Sequence, residues 1–147
     1  MNIKIKTFQK LDLDELYKIL QLRSEVFVVE QDCVYQDIDG KDSKAIHVMG
    51  FVDDELVAYT RCFEPGYYFK EASIGRVIVK FNYRKYGFGH EIMKASMDLI
   101  EKKYHTKNIK LSAQQYLTRF YETHGFIQSG EGYLEDGIPH IAMIKGS

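Results

Sequence analysis

The chain has 147 residues, of which 45% are hydrophobic and 28% charged, with a formal net charge of -1; that suits one globular domain around a single core and excludes disorder. A charge so close to zero provides no field for gathering a polyanion, and the densest basic patch, Lys80, Arg84 and Lys85, suits one small anionic ligand, so no nucleic-acid partner is expected. Cys33 and Cys62 are too few for a disulfide framework, and neither a leader nor an apolar run of about 18 residues is present, so a cytoplasmic protein with no membrane partner is expected.

Residues 1–8 alternate, with Ile3, Ile5 and Thr7 on one face, and read as a first strand. Asp12 can then cap a helix with Glu15 three residues on, as in a capping box. Leu13, Leu16, Tyr17 and Leu20 supply its expected buried stripe, Val26 and Phe27 extend it, and its end is expected near Val29. Residues 30–45 form a polar loop too long to be only a connector. Its Asp37-Ile38-Asp39-Gly40 run invites a calcium reading that fails on spacing. From Asp37 the fifth position is Lys41, the sixth is Asp42 where glycine is needed, and the twelfth is Val48 where glutamate is needed. A turn at Asp39-Gly40 accounts for the run, and no metal is expected. Residues 46–52 and 56–63 read as a hairpin across Asp53-Asp54-Glu55, and Pro65-Gly66 turns the chain toward a β-branched strand at 74–79.

After that strand comes a basic, glycine-bearing loop, and residues 89–104 read as an amphipathic helix with Ile92, Met93, Met97 and Ile100 inward. A helix start leaves backbone N–H groups unpaired and carries the positive end of the macrodipole, which favours phosphate. Gly87 and Gly89 allow positive φ and remove a Cβ that would hold a phosphate away, while Arg84 and Lys85 add cationic donors. Strand, loop and helix together make a cradle for a diphosphate. Beyond it, residues 108–113 read as a strand and 117–124 as a short helix stopped by Gly125. Phe126 onward is strand-like, Glu135-Asp136-Gly137 turns, and residues 140–145 close a terminal hairpin.

Arg84-Lys85-Tyr86-Gly87-Phe88-Gly89 fits the pattern [Arg/Gln]-x-x-Gly-x-[Gly/Ala] and so resembles the pyrophosphate loop of the GNAT N-acetyltransferase superfamily. The strand, short helix and Phe120-Tyr121-x-x-x-Gly125-Phe126 ending resemble the segment that follows the cofactor helix in that family. Leu22 through Gln31, Ser73 through Val77, and Tyr133 through His140 are similar to its ElaA-like branch, so the resemblance covers nearly the whole chain. It implies a layered α+β (α/β/α) domain over residues 1–147. Its mixed, mostly antiparallel sheet would have six to seven strands, with splayed central strands and flanking helices. A β-bulge near Gly75 or Arg76 would help open the gap.

The resemblance also implies acetyl-coenzyme A as cosubstrate, with no metal. Its diphosphate would sit on Arg84, Lys85, Tyr86, Gly87, Phe88, Gly89 and His90, and its pantetheine against the backbone of Val77, Ile78 and Val79. Gln114 stands where the family often has a cofactor-contacting asparagine, and Tyr121 where a tyrosine lies near the coenzyme sulfur; Tyr121 is the expected general acid. The implied activity is acetyl transfer to a primary amine of an unidentified small-molecule or peptide acceptor by direct attack in a ternary complex. The alternative is a non-catalytic acyl-coenzyme A sensor. A homodimer is compatible with either.

The remaining candidates follow from charge placement. Arg76 lies in an apolar strand run, so its head either reaches solvent or meets a carboxylate such as Glu30. Glu30, Glu135 and Asp136 can bind an ammonium or act as base, and His140 is a base or a partly buried strand histidine. A dinucleotide-binding domain is disfavoured, because Ile92 replaces the third glycine of Gly-x-Gly-x-x-Gly and no parallel βαβ series surrounds the motif.

Overall fold

A computed structural model describes residues 1–146. Its strands are β1 (Asn2–Thr7), β2 (Ile46–Val52), β3 (Glu55–Phe63), β4 (Ala72–Val79), β5 (Ile109–Gln114), β6 (Ile127–Glu135) and β7 (Ile138–Lys145), with helices α1 (Leu13–Arg23), α2 (Phe88–Tyr104) and α3 (Thr118–Glu122). They form one sheet in the order β1-β2-β3-β4-β5-β7-β6. Only the β4–β5 pair is parallel. No helix among the described residues is long and apolar enough to cross a membrane.

Alternation along the central strands sends side chains to two faces, and a helix covers each. On one face α2 places Ile92, Met93 and Ile100 against Cys62, Ala72, Ile74, Leu111 and Met143, joined by Tyr121 of α3. Of the stripe expected from the sequence, Met97 is only half-buried, and Ser96 takes the inner position. The Ser96 hydroxyl is satisfied there: it donates to the Ile92 carbonyl at 2.7 Å and meets Thr60 Oγ1 at 2.6 Å. A small, fully bonded side chain lets the helix seat on β3 without an orphaned polar group.

On the other face the helix has turned away from the expected stripe. Leu13 and Tyr17 are 87% and 71% exposed, Leu16 and Leu20 are half-buried, and the inner face is Glu15, Ile19, Leu22, Arg23 and Val26. The capping box is present, with Glu15 N–H on Asp12 Oδ1 at 2.7 Å and Asp12 N–H on Glu15 Oε1 at 3.0 Å. Lys6 also reaches that Glu15 oxygen at 2.8 Å, so the buried carboxylate carries two donors on Oε1. Burial of Ile19 and Leu22 contributes on the order of 1.5–3 kcal/mol each. Apolar periodicity misplaced the face because two of its five inward residues are charged: Glu15 is partnered by Asp12 and Lys6 just before it, and Arg23 by Asp37 and Asp42 well after it.

Helical winding continues past Arg23 as a π-helical stretch, Ser24–Glu30, with Gln31 N–H on the Val26 carbonyl at 3.2 Å and Cys33 N–H on Val28 at 3.0 Å. Such wide turns are rare and often sit at functional sites. This one ends with Glu30 and Gln31 at the sheet's central opening.

That opening is where β4 and β5 part. They pair only at Ala72↔Ile109 and Ser73↔Lys110, so residues 74–79 have no partner on that edge. The expected bulge is present: Tyr59 faces Ile78 and Arg61 faces Gly75, so Thr60 alone opposes Arg76 and Val77. Arg76 takes up the extra length with φ +50°, a conformation that costs a non-glycine residue roughly 1 kcal/mol or more.

Candidate active site

The parting of the strands leaves a cavity of about 640 Å³. Of the residues expected to hold the coenzyme, Val77, Ile78, Val79, Arg84, Gly87, Gly89, His90 and Gln114 line it, as does Tyr121. Lys85, Tyr86 and Phe88 stand outside its walls: Lys85 Nζ lies 5.5 Å from the Tyr86 ring centre, and Phe88 stacks on Tyr83.

The α2 end is built from backbone. Gly87 has φ +77°, and its carbonyl receives the N–H groups of His90 and Glu91 at 3.2 and 3.3 Å. At Gly89 the constraint is space, because a Cβ there would lie 3.2 Å from the Phe120 ring. Just past β4, the Lys80 backbone N–H donates to the Val57 carbonyl at 2.7 Å. Strand alternation therefore aims the N–H and C=O of Val79 into the cavity. Arg84 Nε donates to that carbonyl at 2.9 Å.

Two contacts cross the opening from the end of the π-helical stretch. Glu30 accepts both terminal nitrogens of Arg84, at 2.6 and 2.8 Å. Gln31 and Gln114 exchange amide hydrogen bonds at 2.9 and 3.2 Å. Arg84 is thus held as a fixed, carboxylate-paired donor at the loop, and Gln114 is anchored to the helix side of the cavity.

Tyr121 is 4% exposed and packs edge-on against Phe120. Among the described residues nothing bonds its hydroxyl, and the residue lines the cavity. Burial, reinforced by Tyr116, pushes this phenol's pKa above its ordinary value of 10, so it stays protonated at neutral pH. Beside it His90 Nδ1 meets His124 Nε2 at 2.9 Å; burial and then His90 depress the pKa of His124.

The opposite wall comes from residues far apart in sequence. His140 lies beside Gln114 in register; its Nδ1 is 2.7 Å from the Ile138 carbonyl and its Nε2 3.2 Å from Glu135 Oε2. Tyr133 stacks on that ring and bonds Ser112 through its hydroxyl. Glu135, Asp136 and His140 all line the cavity.

Arg76 meets a carboxylate, as one of its two expected environments required, but the partner is not Glu30. Its Nε donates to Asp37 Oδ1 at 2.9 Å and its Nη2 to the Asp37 carbonyl at 3.0 Å. Asp37 also takes Arg23 Nε at 2.9 Å, and Asp42 takes Arg23 and Arg61 at 2.7 and 3.0 Å. Asp39 takes Arg61 at 2.6 and 2.9 Å. Three guanidinium groups therefore occupy the acidic run that first suggested calcium. Burial raises the pKa of Asp39 and of Asp42, yet hydrogen bonds and charges from the arginines outweigh it and hold both below the usual carboxylate value. Among the described residues no group of acidic, histidine or cysteine side chains has metal-site geometry. Neither this cluster nor the π-helical stretch has a local sequence signal; the length of the 30–45 loop was the one hint.

Comparison with known proteins places this architecture. The sequence model described as the acetyltransferase (GNAT) domain matches residues 9–146. Protein ElaA of Escherichia coli K12 is 43% identical over 138 residues, 92% of this chain and 90% of that one, and the crystal structure of E. coli ElaA superposes with a TM-score of 0.92. An acyl-CoA N-acyltransferase from Pseudomonas aeruginosa superposes at 0.93 with 40% identity, covering 99% of this chain and 100% of that one. The PaiA N-acetyltransferase of Thermoplasma acidophilum, solved with coenzyme A, shares the fold at a TM-score of 0.71 and 16% identity, with all of each chain covered. With the domain match spanning nearly its full length and ElaA similar in both sequence and structure, this chain belongs to the GNAT acetyltransferase superfamily, in its ElaA-like branch.

Proposed function

We propose that this protein transfers an acetyl group from acetyl-coenzyme A to the primary amine of a small-molecule or peptide acceptor, by direct attack in a ternary complex. The observation that carries the reading is the cavity where β4 and β5 part. One end is a helix start where a side chain at Gly89 would crowd the Phe120 ring, and its wall holds a buried phenol with no partner among the described residues. The coenzyme complex of the Thermoplasma fold neighbour supports the choice of cosubstrate.

The residues divide the work by chemistry. The backbone at Gly87 to His90, with Arg84, suits the diphosphate, and the open edge of Val77 to Val79 suits the amides of pantetheine. A primary amine has a pKa of about 10.4, so freeing its lone pair at neutral pH costs roughly 4–5 kcal/mol. Glu135 is the proton acceptor best placed for this. His140 fixes its Oε2, and Oε1 has no partner among the described residues.

The N–C bond forms at the thioester carbonyl and the C–S bond breaks, and the surplus proton on the new amide nitrogen leaves to solvent by way of Glu135. The Val79 N–H stabilises the oxygen that gains charge. The departing thiolate takes the proton of Tyr121, which solvent replaces. Cys62, buried and with its thiol pushed up to about 12, is inert to this chemistry and consistent with work in a reducing cytoplasm.

Calorimetry with acetyl-coenzyme A and thiol release across an amine panel test the proposal. Binding followed by amine-dependent thiol release is expected. Binding with no release from any amine would make the protein a sensor, and no binding by folded protein would overturn both readings.

A further inference from the structure

Three arginines share the buried cluster, and they are not equivalent. The side chains of Arg23 and Arg61 are 0% and 1% exposed, whereas that of Arg76 is 20% exposed and lines the cavity. Its Nε and Nη2 are bound to Asp37, and its plane lies near the Tyr35 ring, 5.9 Å from the ring centre. Nη1 meets no acceptor among the described residues. A guanidinium fixed on one side and unpaired on the other is a preorganised donor.

Its backbone points the same way. Arg76 takes positive φ at the bulge although Gly75, one residue earlier, would adopt it at no steric cost. Strain of this kind collects at functional sites.

The donor also shares its surroundings with the proposed base. Cys33 Sγ donates to the Asp136 carbonyl at 3.3 Å, while Asp37 holds Arg76. Cys33 and Asp37 are four residues apart, a span of at most about 14 Å when fully extended. Arg76 and the turn bearing Glu135 are thus tied to the two ends of one short segment and face one opening.

We propose that Arg76 selects the acceptor: its Nη1 receives an oxygen carried on the carbon next to the one bearing the reacting amine, while Glu135 receives the ammonium. The acceptor class is then α-amino acids and their amides. With Asp37 and Asp39 already beside it, Arg76 offers a fixed donor more than an uncompensated charge, so a carboxylate or a carbonyl oxygen can fill the position. The assignment rests on the acetyl-transfer reading.

The test compares kcat/KM for matched amines with acetyl-coenzyme A: alanine, alaninamide and ethylamine. The native protein is expected to favour at least one oxygen-bearing member by about tenfold or more over ethylamine, the scale of a hydrogen bond from a charged donor. Alanine against alaninamide tells carboxylate from carbonyl. In Arg76→Gln the preference should collapse toward one, carried mainly by KM, and Arg76→Lys should restore part of it. Equal efficiency with all three amines in the native protein, which needs no variant, overturns the assignment and leaves acetyl transfer standing. So does a preference that survives in folded Arg76→Gln. Thiol release that no amine accelerates overturns the transfer reading itself, and this proposal with it.

Discussion

The two faces of the sheet are held by different physics. Under α2 the contact is apolar, with Ile92, Met93 and Ile100 on β-strand side chains and one small hydroxyl bonded in place. Beside α1 and the loop after it, three arginines and three aspartates interlock over an aliphatic patch. Apolar packing degrades by increments, since each lost methylene costs its own share. Paired buried charges fail in a larger step, because removing one partner leaves the other uncompensated. The cavity lies between the two regimes, with a buried phenol on the first side and a guanidinium from the second.

The largest expected effect tests that contrast directly. Asp42→Ala strips a shared partner from Arg23 and Arg61 and should cost about 3–5 kcal/mol of stability in urea unfolding. A cost below about 1 kcal/mol would mean that the cluster is well hydrated and not structural.

On the opposite face a polar deletion should do the reverse. Tyr121→Phe removes a hydroxyl with no partner among the described residues, so stability should change by less than about 0.5 kcal/mol. Turnover should fall by about a hundredfold or more, the usual worth of a general acid, with acetyl-coenzyme A affinity held. Undiminished turnover would remove Tyr121 from the chemistry.

Ile92→Val, a one-methylene change in the α2 contact, should cost about 0.5–1.5 kcal/mol. A loss as large as that of Asp42→Ala would erase the distinction between the faces.

Acidification should produce the gentlest effect, driven by His47 on the α1 side and by His124 beside the cavity. Burial is the largest influence on His47 and holds its pKa below the ordinary 6.5. Below pH 6.5 the unfolded chain therefore gains a proton that the folded one resists, and stability declines as pH drops. Asp39 and Asp42, held below the ordinary 3.8, add a decline of the same sign once pH falls to roughly 4, where their unfolded forms protonate first. Thermal melts should show a plateau above about pH 6.5, a shallow fall below it and a steeper one below about pH 4. His47→Gln should reduce the shallow slope; an unaltered slope there would clear His47 of the effect.

Legibility in the sequence follows the same divide. The strands, α2 and the Gly87–Gly89 turn could be read because alternation, 3.6-residue periodicity and glycine chemistry are local. The inner face of α1 could not, because its periodicity was judged by apolar residues while Glu15 and Arg23 sit inside. Their burial depends on Lys6, Asp37 and Asp42, two of which lie in a loop with no periodicity to read. Arg76 shows the limit well: its position argued for a carboxylate, but the identity of that carboxylate, Asp37 and not Glu30, depends on how the loop folds back.

The sequence alone determined the family and the layered α+β class, through a resemblance that runs over nearly the whole chain, and the Gly87–Gly89 turn, which is encoded within a few residues. Only the tertiary structure decided which wall of the cavity each charge joins. It pairs Glu30 with Arg84, Glu135 with His140, and the acidic run with three arginines. Such pairings are fixed by chain closure over tens of residues and by the need to match every buried charge, which no short stretch of sequence specifies by itself.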